Sequence, residues 1–427
     1  MNLSGPKLGG HFLCIFPGNT VVLMIILPKP DFYAGLNAYP CACLNTSNPF
    51  PDHDAAGTSK LYLRSNLLLI FMRPFIYGLF CFFSVFAAQA QPQATTTPAP
   101  EKHLRNIQQL TFGGDNAEAY WSPDSKWLTF QSNYAKWGVK CDQIFAMKVK
   151  KAANNPTYMP QIISGGKGRT TCSFFMPDGK HIIYASTVSA GDTCPAVPNL
   201  RRDGKYLWPV YSSYDIYVSD LKGKNTKRLT NSPGYDAEAV LSPKGDKILF
   251  TSDRSGDLEL WTMNLDGSNP KQITNALGYD GGAFFSKDGT KIVYRASRPK
   301  TEAEIKEYKD LLKEGLVAPV AMEIFVCNAD GSNVHQVTNL GKANWAPFFH
   351  PDGKRIMFSS NHQSKRGYDF HLYLINEDGT GLEQITTESI FNSFAMFSPD
   401  GKKIAFSSNR NNGNTRDTNV FMADWVD

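Results

Sequence analysis

Six residues stand at one place in a recurring pattern: Asn116, Thr170, Asp236, Asp280, Asn344 and Asn392, with Glu118 and Glu238 two positions beyond the first and third. A fold that superposes the repeats gathers them into one polar column. Amide, hydroxyl and carboxylate groups converging on a funnel could hold a cation, a sugar or a peptide terminus. Asp and Asn at strand starts also serve the backbone of the loop before them, so a purely structural reading stands beside the binding one. Acid–base catalysis would need a positioned base, and the candidates are Asp236, Glu238, Asp280 and His371. The nearest approach to a metal cluster is His362, Asp369 and His371, and two histidines with one carboxylate specify little. No cofactor is expected, and no ligand set supports a bound cation such as calcium. The segment Gly165-Gly-Lys-Gly-Arg-Thr-Thr171 has the glycines of a phosphate loop, but Gly168 follows Lys167 and the segment leads into a strand, not a helix.

Long intervals between repeats carry further candidates. Tyr206, Trp208 and Tyr211 could stack on a sugar or peptide, or could pack their own loop. Cys141, Cys172 and Cys194 fall on the same face of the expected fold, which predicts a disulfide among them, most simply Cys172 with Cys194. A three-cysteine metal site would lack CxxC spacing. Cys327 reads as a buried free thiol. In another interval Thr301-Glu-Ala-Glu304 is a capping box, and Ile305, Tyr308, Leu311 and Leu312 follow at helical spacing up to Gly315. This predicts a short amphipathic helix that packs onto its own domain or docks a partner.

The repeat that positions these residues is a nine-residue phrase found six times: Ser122-Pro-Asp-Ser-Lys-Trp-Leu-Thr-Phe130, Met176-Pro-Asp-Gly-Lys-His-Ile-Ile-Tyr184, Ser242-Pro-Lys-Gly-Asp-Lys-Ile-Leu-Phe250, Ser286-Lys-Asp-Gly-Thr-Lys-Ile-Val-Tyr294, His350-Pro-Asp-Gly-Lys-Arg-Ile-Met-Phe358 and Ser398-Pro-Asp-Gly-Lys-Lys-Ile-Ala-Phe406. The starts lie 54, 66, 44, 64 and 48 residues apart, so the smallest unit has room for four strands and the other gaps hold insertions. Pro-Asp-Gly between apolar runs is a tight reversal joining a first strand to a second. A third apolar run and a closing Lys227-Arg-Leu-Thr230, Lys271-Gln-Ile-Thr274, His335-Gln-Val-Thr338 or Glu383-Gln-Ile-Thr386 complete the unit. The sixth unit lacks its fourth strand, while an unmatched copy, Gln108-Gln-Leu-Thr111, precedes the first. The expected fold is therefore all-β: a six-bladed β-propeller of four-stranded antiparallel blades over residues 106–427, closed by an N-terminal strand that completes the last blade. Its short turns gather on one face and its insertions on the other, where scaffolds commonly carry binding groups.

Residues 1–71 lack the repeat and are unassigned. Met72-Arg73, an apolar stretch from Phe75 and Ala88-Gln89-Ala90 have the three parts of a signal peptide, so Met72 reads as the true start, 72–90 as the signal, cleavage as preceding Gln91 and 91–105 as a Pro/Thr linker. This predicts a periplasmic or secreted chain with no membrane span after cleavage. The 427 residues carry a net charge of only +5, spread through turns without a basic stripe, which argues against nucleic acid.

The alternation of Gln-(Leu/Ile)-Thr with Ser-Pro-Asp-Gly-Lys-x-Ile-x-Phe resembles the TolB-like propellers built from the WD40-like PD40 repeat. The resemblance implies a binding scaffold of the cell envelope with a protein or polysaccharide partner. TolB proteins are periplasmic and carry an α/β domain before the propeller, where only the linker stands here. Related propellers precede a hydrolase domain, but no Gly-x-Ser-x-Gly elbow occurs in this sequence. A non-catalytic, monomeric binding propeller is the expectation. The alternatives are a propeller-based polysaccharide lyase or glycan hydrolase, or an accessory subunit of a separate peptidase or transporter.

Overall fold

The structure, a computed structural model, describes residues 100–427. The expectations for 1–71, for the signal segment 72–90 and for most of the linker lie outside the described residues. Six four-stranded antiparallel sheets make the propeller. In the third blade the strands are Asp236–Leu241, Lys247–Ser252, Glu259–Asn264 and the short outermost Lys271–Gln272. The innermost strands of the other blades are Asn116–Trp121, Thr170–Phe175, Asp280–Phe285, Asn344–Phe349 and Asn392–Phe397.

Each part of the repeated phrase has a physical task. Its serine receives the N–H of the residue opening the second strand and donates to the turn aspartate, as Ser286 does with Lys291 (2.9 Å) and Asp288 (2.6 Å). Its aromatic end points between blades: Phe130, Tyr184, Phe250, Tyr294, Phe358 and Phe406 are all buried. Burial of such rings supplies the apolar core that holds neighbouring blades face to face. The threonine of the closing motif is a clamp. Thr274 Oγ1 accepts the Leu260 N–H at 2.9 Å and donates to Glu259 at 2.6 Å, tying the outermost turn to the head of the third strand. Thr111, Thr230 and Thr338 repeat this double bond in their blades. Ser164 stands in for threonine in the first blade, bonding Ile144 and Gln143.

The ring closes as expected: Leu104–Gln109 pairs antiparallel with Asn419–Trp425, from Leu104 opposite Trp425 to Gln109 opposite Phe421. One boundary moves. The propeller was expected to begin at residue 106, but Glu101 already forms a buried ion pair with Arg410 (3.0 Å), and the His103 ring stacks on Trp425 at 5.0 Å. These contacts belong to the closure alone, so no copy of them recurs to mark the edge.

Blades also interlock through the Asp-Gly turns between third and fourth strands. Gly267 has φ +90°, and a Cβ there would sit 2.2 Å from the Leu229 carbonyl oxygen of the preceding blade. Gly267→Ala therefore strains the turn and pushes two blades apart, with an expected loss of about 1–3 kcal/mol by urea unfolding. An unchanged midpoint would refute the interlock.

Candidate functional site

The insertions meet over one mouth of the channel. In the second-blade insertion, Arg201–Arg202 pairs with Lys205–Tyr206, and Trp208–Pro209 pairs with Leu316–Val317 from the fourth-blade insertion. The helix runs Glu302–Lys313 and has the expected capping box between Thr301 and Glu304. It packs on its own domain: Leu311 and Leu316 cluster with Leu207, Tyr308 donates to Asp257, and Glu307 and Glu314 pair with Lys205 and Arg202. Two insertions thus form one cap.

A disulfide ties this cap to the first blade, but the pairing expected from sequence is wrong. Cys194 bonds Cys141, with 6.1 Å between Cα atoms, and Cys172 is free. The reason is local. Cys172 occupies a bulge at φ +47° that places it in the channel lining, whereas Cys141 and Cys194 lie in facing loops. Cys327 is a buried free thiol.

That bulge recurs in every innermost strand. Register slips between the second and fifth residues of all six, and the third residue takes a left-handed conformation: Glu118 (φ 55°), Cys172 (47°), Glu238 (57°), Gly282 (57°), Ala346 (49°) and Phe394 (56°). Left-handed backbone costs an L-residue about 1–2 kcal/mol, and bulges re-aim side chains. Here all six bulge residues line one cavity of about 330 Å³ beneath the cap. Its walls add Tyr120, Tyr214, Tyr235 and Tyr279, with Trp208 and Trp345 from the cap side.

The polar groups of the cavity are mostly committed. Glu238 receives Arg295 (2.5 Å), the Thr251 hydroxyl (2.7 Å), the Tyr279 hydroxyl (2.8 Å) and the Gly282 N–H (2.7 Å). Burial alone would raise this carboxyl, but Arg295 and the hydrogen bonds outweigh it and hold the pKa below the ordinary value. Arg169 is likewise paired with Asp142. Glu118 differs. Its Oε2 is shielded and has no hydrogen-bond partner, and burial pushes the carboxyl up to about 7. Burial, then the charges of Glu118 and Glu238, keep the Cys172 thiol protonated, so it is no nucleophile.

The structure brings Glu118, Glu238, Thr170, Tyr206, Trp208 and Tyr211 together around this cavity, and leaves Asn116, Asp236, Asp280, Asn344 and Asn392 outside it. Those five are buried and occupied. Arg254 grips Asp236 (2.8 Å), Arg298 grips Asp280, and Arg410 donates to Asn392 (3.0 Å). Asn116 and Asn344 donate to loop carbonyls, those of Gly113 and Gly341 among them. Burial lifts Asp280 to about 6 against the pull of Arg298. The column is a set of loop clamps. Trp208 is also engaged, stacked on Trp345 at 4.8 Å with the Arg295 guanidinium 5.2 Å from its ring centre. Tyr206 remains exposed.

His362, Asp369 and His371 do not form a site. Asp369 accepts from Ser364 and Arg366, and His362 bonds Ser360. Among the described residues no group of three or more His, Cys, Asp or Glu could hold a metal ion. None of the described helices is long and apolar enough to cross a membrane.

Sequence reasoning missed Arg295. At its place in the second strand the other blades carry Gln131, Ala185, Thr251, Ser359 and Ser407, so a lone charge in that column was a readable signal. It also passed over Gly281-Gly282 inside a strand, which marks close approach. A Cβ on Gly282 would lie 1.7 Å from Arg295, and one on Gly281 2.5 Å from Glu238. The turn face held a second surprise. Its short turns ring an apolar funnel of about 440 Å³ lined by Pro123, Pro177, Pro243, Pro351 and Pro399, with Lys287 in the sixth place.

One family model agrees with this architecture over part of the chain. Residues 187–315 match the family model described as the TolB beta propeller domain. A stretch of 44 residues is 48% identical to the Tol-Pal system protein TolB of Bordetella pertussis, covering 10% of this chain and 10% of that relative. The match thus spans about a tenth of the curated relative's length. Among solved structures, a putative TolB from Agrobacterium tumefaciens is 20% identical with a TM-score of 0.48, covering 74% of this chain and 91% of that one. An oligogalacturonate lyase from Vibrio parahaemolyticus is 12% identical with a TM-score of 0.41, covering 76% of this chain and 92% of that one. From Leu104 to Trp425 the chain is a six-bladed β-propeller, and residues 187–315 within it resemble the TolB beta propeller domain.

Proposed function

We propose that this protein is a non-catalytic binding propeller of the cell envelope, periplasmic or secreted, that takes part of a protein or envelope polymer into the capped channel mouth. The observation that carries this reading is the ring of six bulge residues around one cavity, five of them L-residues held in left-handed backbone, because strain repeated in five blades and aimed at one space is a mark of a ligand site. Catalysis is less well supported: Asp236, Glu238 and Asp280 are bound to arginines, and Glu118 has no second free acid or base beside it in the lining. The Cys141–Cys194 bond suits an oxidising compartment, in keeping with the signal-like segment at 72–90.

Blocking the cavity tests this without disturbing the fold. Ala346 holds the bulge position that Phe394 holds in the next blade, so the backbone there already accepts a phenylalanine. Ala346→Phe is expected to unfold like the wild type yet to lose the species that wild type captures from an envelope extract of its source. Full retention of that capture would remove the cavity as the binding site.

A further inference from the structure

We infer that the capped cavity is a site for a single organic cation, an alkylammonium or guanidinium group, received by Glu118 among aromatic walls. The inference deepens the binding reading above and rests on it. Five charged residues line the cavity: Glu118, Asp142 and Glu238 against Arg169 and Arg295. Arg169 is paired with Asp142 and Arg295 with Glu238, which leaves one acid uncompensated. Glu118 is partly open to the cavity, and its shielded Oε2 has no partner. An unpaired carboxylate in such a place is costly, and a ligand of opposite charge removes the cost.

The walls select the kind of cation. Tyr120, Tyr214, Tyr235 and Trp345 surround the space. The negative faces of aromatic rings attract organic cations, which shed their water more readily than metal ions do. Arg295 shows this environment at work, since its own guanidinium lies 4.9 Å from the Tyr279 ring centre and 5.2 Å from that of Trp208. A cavity of about 330 Å³ admits the head and short stem of such a group and little more.

The empty site meets its charge problem by holding a proton, with Glu118 raised to about 7 by burial and by the Glu238 charge. Cysteine and arginine neighbours, Cys172 and Arg295, pull the other way, and Asp142 adds a smaller push. Tyr120 and Cys172 are neutral throughout this range, since both are raised well above their ordinary values. A cation binds the ionised acid, so binding expels the proton. Affinity should therefore rise with pH through about 7 and flatten above it, roughly tenfold from about pH 6 to about pH 8, following the competent fraction.

The cation can come from a free amine or from a basic side chain of a partner, and the test separates them. Calorimetric titration of the whole protein would use n-pentylamine, n-butylguanidine, neutral n-pentanol, and a capped glycine pentapeptide with a central lysine. The expected result is binding of at least one cation and not of pentanol, about tenfold tighter at the higher pH and weakened at least tenfold by Glu118→Gln. Response to the free amines assigns a small-molecule ligand; response to the peptide alone assigns a partner's side chain. Pentanol binding as well as the amines, or amine binding that is indifferent to pH and to Glu118→Gln, overturns the inference. Should Ala346→Phe still abolish capture from extract in that case, the cavity stands as a site and only the cation assignment falls. Should Ala346→Phe leave capture intact, the reading beneath both has failed.

Discussion

Arg295→Ala will destabilise the propeller by about 3–5 kcal/mol, the range for removing one partner of a buried ion pair. The side chains of Arg295 and Glu238 are 8% and 11% exposed, so water cannot replace the lost guanidinium. Glu238 would keep the Thr251, Tyr279 and Gly282 bonds but lose the charge that holds its pKa down. The sign of the pH dependence follows. In the wild type a depressed carboxyl adds stability above the ordinary carboxyl range and loses it as pH falls. In Arg295→Ala the carboxyl is raised, so the deficit is largest near neutrality and narrows toward about pH 4. Glu238→Gln in the same chain should recover most of the loss, because a neutral amide needs no counter-charge. Urea midpoints of wild type, single and double variants decide it. A single variant within about 1 kcal/mol of wild type would mean that the pair does not hold the fourth and third blades together.

The ring, its strand order and its closure were legible because they rest on local grammar repeated six times: a proline-set turn, a buried aromatic, a threonine clamp. Repetition turns weak local signals into a firm one. The polar column was legible as a position, with loop support as one of its two readings. The partners of Asp236 and Asp280, Arg254 and Arg298, were not foreseen, because they sit just beyond the next strand, where no regular phrase marks them. The disulfide failed for a related reason. Nearness in sequence favoured Cys172 with Cys194, but one left-handed residue sends Cys172 into the channel, and a period-two reading of the strand carries no sign of that bulge. Glu118 and Glu238 were both read as channel residues, yet what separates them, one paired and one not, depends on Arg295 from a different blade.

Deleting residues 100–109 should abolish cooperative folding, and returning them at the other end of the chain should restore it. Without them the strand Asn419–Trp425 keeps its pairing with Lys403–Ser408 but loses its outer antiparallel partner and becomes an open sheet edge. Leu104 leaves an apolar cluster that includes Phe406 and Phe421. Arg410, 5% exposed, loses Glu101 and keeps Asn392, Ser408 and a long contact to the exposed Glu388 (3.9 Å) as polar partners. A buried cation that loses its close carboxylate, added to the lost strand, approaches the whole stability of an ordinary domain, about 5–15 kcal/mol. The geometry of closure makes the rescue possible. Leu104 faces Trp425 at the gap, and the Val426 N–H already bonds the His103 carbonyl at 3.0 Å. A short loop from Asp427 into a copy of residues 101–111 would therefore form a hairpin like the one joining Asn264 to Lys271 in the third blade. The sixth blade would then be built from consecutive strands, with the same contacts and a lower cost of bringing them together. The expected readout is a lost thermal transition with association on size exclusion for the deletion, and a single transition with monomeric elution for the relocated strand. A deletion variant that melts as sharply and as high as wild type would show that five complete blades hold the ring without its clasp.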